Sequence, residues 1–285
     1  MGDKSGIEWT EATWNPIAGC SILSPGCLNC YAMRQAARIL RMHPDKPNPK
    51  YVGTVKTVNG NAVWTGKVNV GDDEVFLQPL RWKTPKLIFV NSMSDIGHKN
   101  VSDETILRIF AVMAIAQRHT FQVLTKRPER LVPLLQNSHI DVEIEDRANE
   151  IVENFPGFNT PEGPTWPLPN VWLGVSAENQ ETYDKRSLDL LRIDAEVRWI
   201  SFEPLLGPIQ ADMVGAFDWA VVGGESGEGA RPMDVAWAAD LALQCQSQDV
   251  AFFMKQLGGV RDKRGELGNF PVALRVREYP KAVRA

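Results

Sequence analysis

Three cysteines stand close together near the start of the sequence, in a pattern typical of a metal site. Cys20, Cys27 and Cys30 form a C-x6-C-x2-C motif within the segment WNPIAGCSILSPGCLNCYAM. The Gly and Pro residues predict a loop, and the helix-like stretch YAMRQAARIL follows directly. Such a loop lets three thiolates turn toward one centre, and thiolates are the soft ligands that iron–sulfur clusters and zinc prefer.

Three thiolates suit a cluster better than a structural zinc ion. A [4Fe–4S] cluster on three cysteines keeps one iron free of protein ligands, whereas a closed zinc site requires four ligands. Zinc completed by Cys245 or a distant histidine, and ordinary unligated thiols, are the alternatives, although Cys245 in LALQCQSQ is more typical of a packed core thiol. The histidines lack the close spacing of a zinc finger; they are His43, His98, His119 and His139.

Composition favours one catalytic domain in a reducing compartment. The 285 residues are 44% hydrophobic, enough for a large core, and four cysteines do not form a typical disulfide framework. The polar start MGDKSGIEWTEATWNP and the lack of a long apolar run predict a cytoplasmic protein with no membrane partner. A net charge of −4 disfavours nonspecific coating of nucleic acid, although a basic tail follows from about residue 257.

Short apolar runs alternate with helix-like segments, which predicts parallel strands joined by covering helices. The predicted strands are 86–90, 120–124, 170–175, 197–201, 219–224 and 250–254, with a further strand before Cys20. The predicted helices are 104–117, 128–137, 180–192 and 234–247. Six or seven strands are too few for an eight-fold barrel, so we expect an α/β fold: a partial (β/α)6-type TIM-like barrel of parallel strands with surrounding helices.

Two segments interrupt this alternation as insertions, and neither resembles an independent domain. The first, at about 44–85, predicts a turn at Asn59-Gly60 between extended pieces, and the second, at about 138–169, is acidic and then Pro-rich.

Polar side chains follow nearly every predicted strand, at the end where α/β folds collect function. They are Asn91, Ser92, Ser94, Asp95, Thr125, Lys126, Arg127, Ser176, Glu178, Asn179, Glu203, Glu225, Ser226, Lys255 and Gln256. The nearby run GGESGEGARPM lacks the pattern of a phosphate-binding loop, so Glu225 and Arg231 are instead candidates to shape a pocket. Glu203, before Pro204, is a candidate hydrogen-bonding group for ribose or substrate, or a turn residue.

The run NPIAGCSILSPGCLNCYA resembles the cluster loop of the radical-SAM superfamily, in particular its spore photoproduct lyase-like branch. The whole chain also resembles an uncharacterised, phage-associated radical-SAM-like family, through NSMSD, FQVLTKRPER, VWLGVS, FEPLLGP and GGESGEGARPM. The sequence departs from the usual C-x3-C-x2-C spacing by three extra residues. It also has Asn29 where an aromatic residue normally precedes the last cysteine, so Tyr31 is the candidate to replace that adenine-contacting aromatic.

The resemblance implies a [4Fe–4S] cluster on the three cysteines and S-adenosyl-L-methionine as the second cofactor. One electron from an external flavodoxin- or ferredoxin-like donor would then cleave the cofactor to a 5′-deoxyadenosyl radical. By resemblance, Lys126 contacts the methionine carboxylate, Ser176 contacts the cofactor, and Ser92, Ser94 and Asp95 contact its amino group or ribose. Capping of the next helix is the alternative role of Ser176 and Asp95. No catalytic residue is assigned.

The lyase-like branch repairs thymine dimers, so the resemblance implies a nucleic-acid base or nucleotide as substrate, in DNA repair or modification. Trp64, Trp82 and Trp166 in the insertions are compatible with base stacking. Two other classes remain: a non-catalytic iron–sulfur or zinc module that binds nucleic acid, and a metal-dependent nuclease. The carboxylates available to a nuclease are Asp95, Glu178, Glu203 and Glu225.

Overall fold

The computed structural model describes residues 4–42, 44–159 and 163–281, so His43 lies outside the described residues. The chain divides into two compact units. The first comprises residues 1–22, 32–172 and 193–196, and the second comprises 23–31, 173–192 and 197–285. Cys20 therefore belongs to the first unit, and Cys27 and Cys30 belong to the second.

The strands and helices follow the predicted alternation. The strands are β1 (Ala12–Trp14), β2 (Ile17–Ala18), β3 (Val55–Val58), β4 (Asn61–Trp64), β5 (Asn69–Val70), β6 (Leu87–Val90), β7 (Thr120–Thr125), β8 (Val171–Ser176), β9 (Val197–Phe202), β10 (Trp219–Gly223) and β11 (Ala251–Gln256). The helices are α1 (Tyr31–Met42), α2 (Asp73–Phe76), α3 (Gln78–Arg81), α4 (Asp103–Ile115), α5 (Pro128–Leu135), α6 (Ile140–Asn154), α7 (Gln180–Leu191) and α8 (Val235–Ser247).

In the first unit, β6 pairs in parallel with β1 on one side and with β7 on the other. Ile88 of β6 lies opposite Ala12 and Phe121, and all three side chains are buried. Ser102 directly precedes α4, and its hydroxyl accepts a hydrogen bond from the Thr105 N–H at 3.2 Å and so caps the helix. Parallel pairing of buried strands places their carboxyl ends, and the polar residues that follow them, at one edge.

The first insertion contains an antiparallel hairpin of β3 and β4. Its turn lies at Asn59-Gly60, with φ values of 48° and 79°, which confirms the predicted turn. The second insertion contains α6, a helix that we did not predict. Its buried residues recur on one face, as Ile140, Ile144, Ala148 and Ile151, and the acidic residues between them hid this period.

In the second unit, β10 pairs in parallel with β9 and β11, so Trp219 lies opposite Trp199 and Ala251. The rings of Trp199 and Trp219 stand 5.2 Å apart and both are fully buried. These large aromatic side chains fill the core next to the sheet, which fixes the strand ends from which the polar residues project.

The sheet order is β1-β6-β7-β8-β9-β10-β11. The predicted α/β fold, with parallel strands curled as a partial barrel among helices, is confirmed. Within the described residues, no helix is both long enough and apolar enough to cross a membrane.

Candidate functional site

In the first unit, the side chain of Arg127 lies against Cys20. Its Nη1 stands 3.7 Å from the Cys20 sulfur, and its Nη2 donates to the carbonyl and hydroxyl oxygens of Ser21, at 3.1 Å each. The Arg127 side chain is 9% exposed, so these contacts form largely out of water. A guanidinium beside a sulfur favours the thiolate, the form that binds metal.

Asp95 holds Arg127 in this position. Its Oδ2 accepts hydrogen bonds from Arg127 Nη1 at 2.6 Å and from the Lys126 N–H at 3.1 Å, and its Oδ1 accepts from the Thr125 hydroxyl at 2.6 Å. Burial alone would lower the pKa of Arg127, but the charges and hydrogen bonds of Asp95 and Cys20 outweigh it and raise the pKa. Asp95 thus positions Arg127, and its contact with the cofactor stays a prediction.

His98 completes this network through Ser21. Its Nδ1 accepts a hydrogen bond from the Asn100 N–H at 3.2 Å, so the proton of the neutral ring sits on Nε2. Nε2 stands 3.0 Å from the Ser21 hydroxyl oxygen and donates to it. Burial, reinforced by the charge of Arg127, lowers the pKa of His98, which keeps the ring neutral.

Two polar side chains at the end of β6 have buried atoms without a partner. The amide oxygen and nitrogen of Asn91, and the hydroxyl of Ser94, are buried with no hydrogen bond among the described residues. Asn91 has a φ of 62°, a strained value for a residue that is not glycine. Because unpartnered buried polar groups are costly and rare, these atoms fit a polar ligand at this strand end. Ser92 instead donates to Asn15 Oδ1 at 3.1 Å.

In the second unit, Glu178 anchors the segment that carries Cys27. The Ser24 hydroxyl donates to Glu178 Oε1 at 2.8 Å and lies 3.7 Å from the Cys27 sulfur. Arg186 donates to the second carboxylate oxygen at 3.0 Å, and Glu178 is fully buried. Cys27 ends a short 3-10 helix at Pro25–Cys27, and the Cys30 N–H donates to the Cys27 carbonyl at 3.3 Å.

The glycine-rich run GGESGEGARPM also forms hydrogen bonds with the segment that carries Cys27. Asn29 Nδ2 donates to Glu225 Oε2 at 2.9 Å and to the Gly229 carbonyl at 2.8 Å. Arg231 binds both Glu225 oxygens, at 2.8 and 2.6 Å, and donates to the Pro25 carbonyl at 2.9 Å. Burial alone would raise the pKa of Glu225, but the hydrogen bonds from Arg231 and Asn29 lower it below its ordinary range. The run therefore holds the cysteine segment.

The other predicted cofactor residues occupy different surroundings. Glu203 pairs with Lys255 at 3.1 Å, and Ser176, at the end of β8, is buried with its carbonyl accepting from Arg186 at 2.7 Å. Tyr31 begins α1 and is half exposed, and Lys126 is part-buried. Sequence reasoning did not assign roles to Arg127 or Asn29, although both stand beside residues that it singled out.

The four carboxylates of the nuclease alternative are each committed to a different cation. Their ion pairs are Asp95 with Arg127, Glu178 with Arg186, Glu203 with Lys255, and Glu225 with Arg231. A two-metal site holds its metal ions about 3.5–4 Å apart, and a carboxylate already paired with its own cation offers less negative charge to such ions. This pairing disfavours the nuclease alternative.

The donor chemistry of the cysteine loop fits a cluster. Cys20, Cys27 and Cys30 form no disulfide bonds, and Cys20 has a cation at its sulfur. Among the described residues, no group of three or more His, Cys, Asp or Glu side chains is arranged to hold a metal ion. Cys245 is a fully buried core thiol, as predicted, and burial raises its pKa to about 12.

The candidate nucleic-acid contacts are largely engaged in the fold. Arg277 donates to the carbonyls of Met254 and Lys255, at 3.1 Å each, and Arg264 donates to the Gly258 carbonyl at 2.8 Å. Trp64 is 6% exposed and contributes to the core, so the suggestion that it stacks on bases is wrong. The last residues of the basic tail, 282–285, lie outside the described residues.

Comparison with known proteins gives one family. No curated protein and no solved structure matches the sequence. A family model described as a protein of unknown function (DUF5131) matches residues 4–281. Because the match spans nearly the whole sequence, the chain belongs to this DUF5131 family.

Proposed function

We propose that this protein is a cytosolic radical S-adenosylmethionine enzyme with a [4Fe–4S] cluster on Cys20, Cys27 and Cys30. One observation carries the proposal: three cysteines that form no disulfide lie close together in the sequence, after the first strand of a partial α/β barrel. The contacts of Cys20 with Arg127 support it, because a buried cation stabilises a thiolate ligand. The resemblance of the loop to radical-SAM cluster loops supplies the identity of the cofactor.

A cluster held by these cysteines would pass one electron from an external donor to S-adenosylmethionine, which would give methionine and a 5′-deoxyadenosyl radical. The protein's own residues bind and orient the cofactor. Asn91 and Ser94 offer buried polar side-chain atoms that have no hydrogen-bond partner among the described residues. Lys126, which follows β7, supplies a cation for the methionine carboxylate. The backbone N–H of Lys126 donates a hydrogen bond to Asp95, which holds the start of this segment in place.

Anaerobic reconstitution tests the cluster directly. We expect about four iron and four sulfide per chain, the composition of a [4Fe–4S] cluster, and a paramagnetic resonance signal after reduction that changes when S-adenosylmethionine is added. Alanine variants of Cys20, Cys27 or Cys30 lose the iron, whereas Cys245→Ala, the matched control in the core, keeps it. Wild-type protein that binds no iron defeats the proposal, and zinc binding in its place identifies the alternative module.

Cofactor binding is tested separately from the cluster. Lys126→Ala weakens S-adenosylmethionine binding, measured by calorimetry on the reconstituted protein, and leaves the iron content unchanged. Lys86→Ala is the control, because Lys86 precedes β6, at the opposite end of the strand from the predicted site. Loss of iron in Lys126→Ala places that lysine at the cluster and not at the cofactor.

We propose a nucleic-acid base or nucleotide as the substrate, a step that rests on resemblance to the lyase-like branch. The measurement is formation of 5′-deoxyadenosine by reduced protein, alone and with DNA that contains thymine dimers or with free nucleotides. Stimulation by one of these substrates supports the class. Cluster binding without cofactor cleavage under any of these conditions favours a non-catalytic module.

A further inference from the structure

The guanidinium of Arg127 makes more contacts with the start of the cysteine loop than a helix-capping position requires. Arg127 is the residue before α5, yet its side chain turns back to Cys20 and to both oxygens of Ser21. These partners precede it by more than 100 residues, at a separation of 107 for Cys20. The fold therefore places a buried positive charge beside the sulfur of one predicted cluster ligand, despite the cost of taking that charge out of water.

We infer that Arg127 raises the reduction potential of a cluster held at Cys20, and that Asp95 limits this rise. The inference rests on the proposed function. Reduction adds one electron, supplied by an external reductant, to the cluster and makes it more negative. A cation that donates a hydrogen bond to a ligand sulfur stabilises the reduced state, because hydrogen bonds and net charge near the sulfurs set cluster potentials.

Asp95 carries a charge of the opposite sign to that of Arg127, so it should change the cluster potential in the opposite direction. Its Oδ2 lies 2.6 Å from Arg127 Nη1 and offsets part of the positive charge that reaches Cys20. Removing the guanidinium and removing the carboxylate should therefore move the potential in opposite directions. A role of Arg127 in packing alone predicts no such pair of opposite shifts.

The experiment is a redox titration of the reconstituted protein with dithionite, followed by paramagnetic resonance without S-adenosylmethionine. Iron and sulfide are measured for each variant, so potentials are compared at equal cluster content. Arg127→Gln shifts the midpoint to a more negative value, and Asp95→Asn shifts it to a more positive value. Arg130→Gln, in the first turn of α5, removes an ion pair with Asp103 and leaves the midpoint unchanged.

Removal of one partner from a buried ion pair can unfold a protein. The double variant Arg127→Gln/Asp95→Asn leaves no unpaired charge, and we expect its midpoint below that of the wild type. Equal potentials in wild type and in the folded, loaded variants overturn the inference while the proposed function stands. Shifts in the same direction for both single variants also overturn it. A wild-type protein that binds no iron defeats the proposed function, and this inference with it.

Discussion

The backbone of Gly26 lies directly against the carboxylate of Glu178. A Cβ added at Gly26 would come within 2.4 Å of Glu178 Cγ and within 2.5 Å of its Oε1. Glu178 has little room to move, because it is fully buried and bonded to Ser24 and Arg186. The glycine therefore allows the cysteine segment to seat on the end of β8.

Gly26→Ala should displace the segment that carries Cys27. We expect a loss of about 1–3 kcal/mol in the free energy of unfolding, the usual cost of overpacking, and a lower iron content after reconstitution. Gly207→Ala is the control, because a Cβ there meets nothing within 4 Å. Chemical denaturation and iron analysis are the measurements. Full iron content and unchanged stability in Gly26→Ala would show that Glu178 yields easily.

Glu225 should make the free energy of unfolding depend on pH in the acidic range. Its pKa is lower in the folded protein than its ordinary value of 4.5, so its contribution is complete above pH 4.5 and is lost as the pH falls through the folded-state pKa. Glu225→Gln should cost about 2 kcal/mol at pH 7, since it weakens hydrogen bonds between charged groups. The difference from wild type should shrink below pH 4.5.

The measurement is urea denaturation between pH 3 and pH 7 for the wild type and Glu225→Gln. Glu266→Gln, an exposed glutamate in the same unit, is the control for loss of a negative charge. A difference that stays constant across this range would contradict the assignment of the acid dependence to Glu225.

The unpartnered atoms at the end of β6 predict a trade between stability and ligand binding. Ser94→Ala removes a buried hydroxyl that lacks a partner, so the ligand-free protein should be as stable or up to about 1 kcal/mol more stable. Binding of S-adenosylmethionine should weaken. Asn91→Gly tests the neighbouring amide and keeps the positive φ without strain. Thermal unfolding with and without the cofactor separates the two effects, and unchanged cofactor binding in both variants would exclude this site.

Arg277 fastens the C-terminal segment to β11. Its guanidinium lies 5.2 Å from the Phe253 ring centre and 5.8 Å from that of Phe270, and it donates to carbonyls on both sides. Arg277→Ala should cost about 2–3 kcal/mol in unfolding free energy and expose residues 257–281 to protease, because charged hydrogen bonds are lost. Arg261→Ala, at an exposed position of the same segment, is the control and should change little. Equal digestion rates for the wild type and Arg277→Ala would show that other contacts keep the C-terminal segment on β11.

The strands of the seven-stranded sheet could be predicted from the sequence because most of them are short apolar runs that stand between helix-like or polar segments. The strand predicted at 219–224 is β10, Trp219–Gly223, in the structure, and the helix predicted at 180–192 is α7, Gln180–Leu191. Cys245 was also correctly assigned to the core, because it lies on the buried face of an amphipathic helix. These features depend on local patterns of a few residues.

The contacts around the cysteine loop were not predictable in the same way. Asn29 and Glu225 are 196 residues apart, and neither position carries a local signal for the other. Asn29 stood out only as a departure from an aromatic position, and the structure gives it a partner in Glu225. Arg127 did have a signal, since it follows a strand directly, but Lys126 beside it resembled a known motif more closely. The predicted cofactor contacts of Tyr31, Ser176 and Glu203 stay predictions.

The buried thiol of Cys245 can serve as a labelling probe for opening of the second unit. Alkylating reagents attack the thiolate, and a thiol whose pKa is about 12 and whose exposure is 0% reacts at neutral pH only after its surroundings part. The rate at which Cys245 takes up label therefore counts opening events, whereas the loop thiols label according to their own accessibility. A peptide map of labelled cysteines can thus tell a loosened loop from a loosened core in any of the variants.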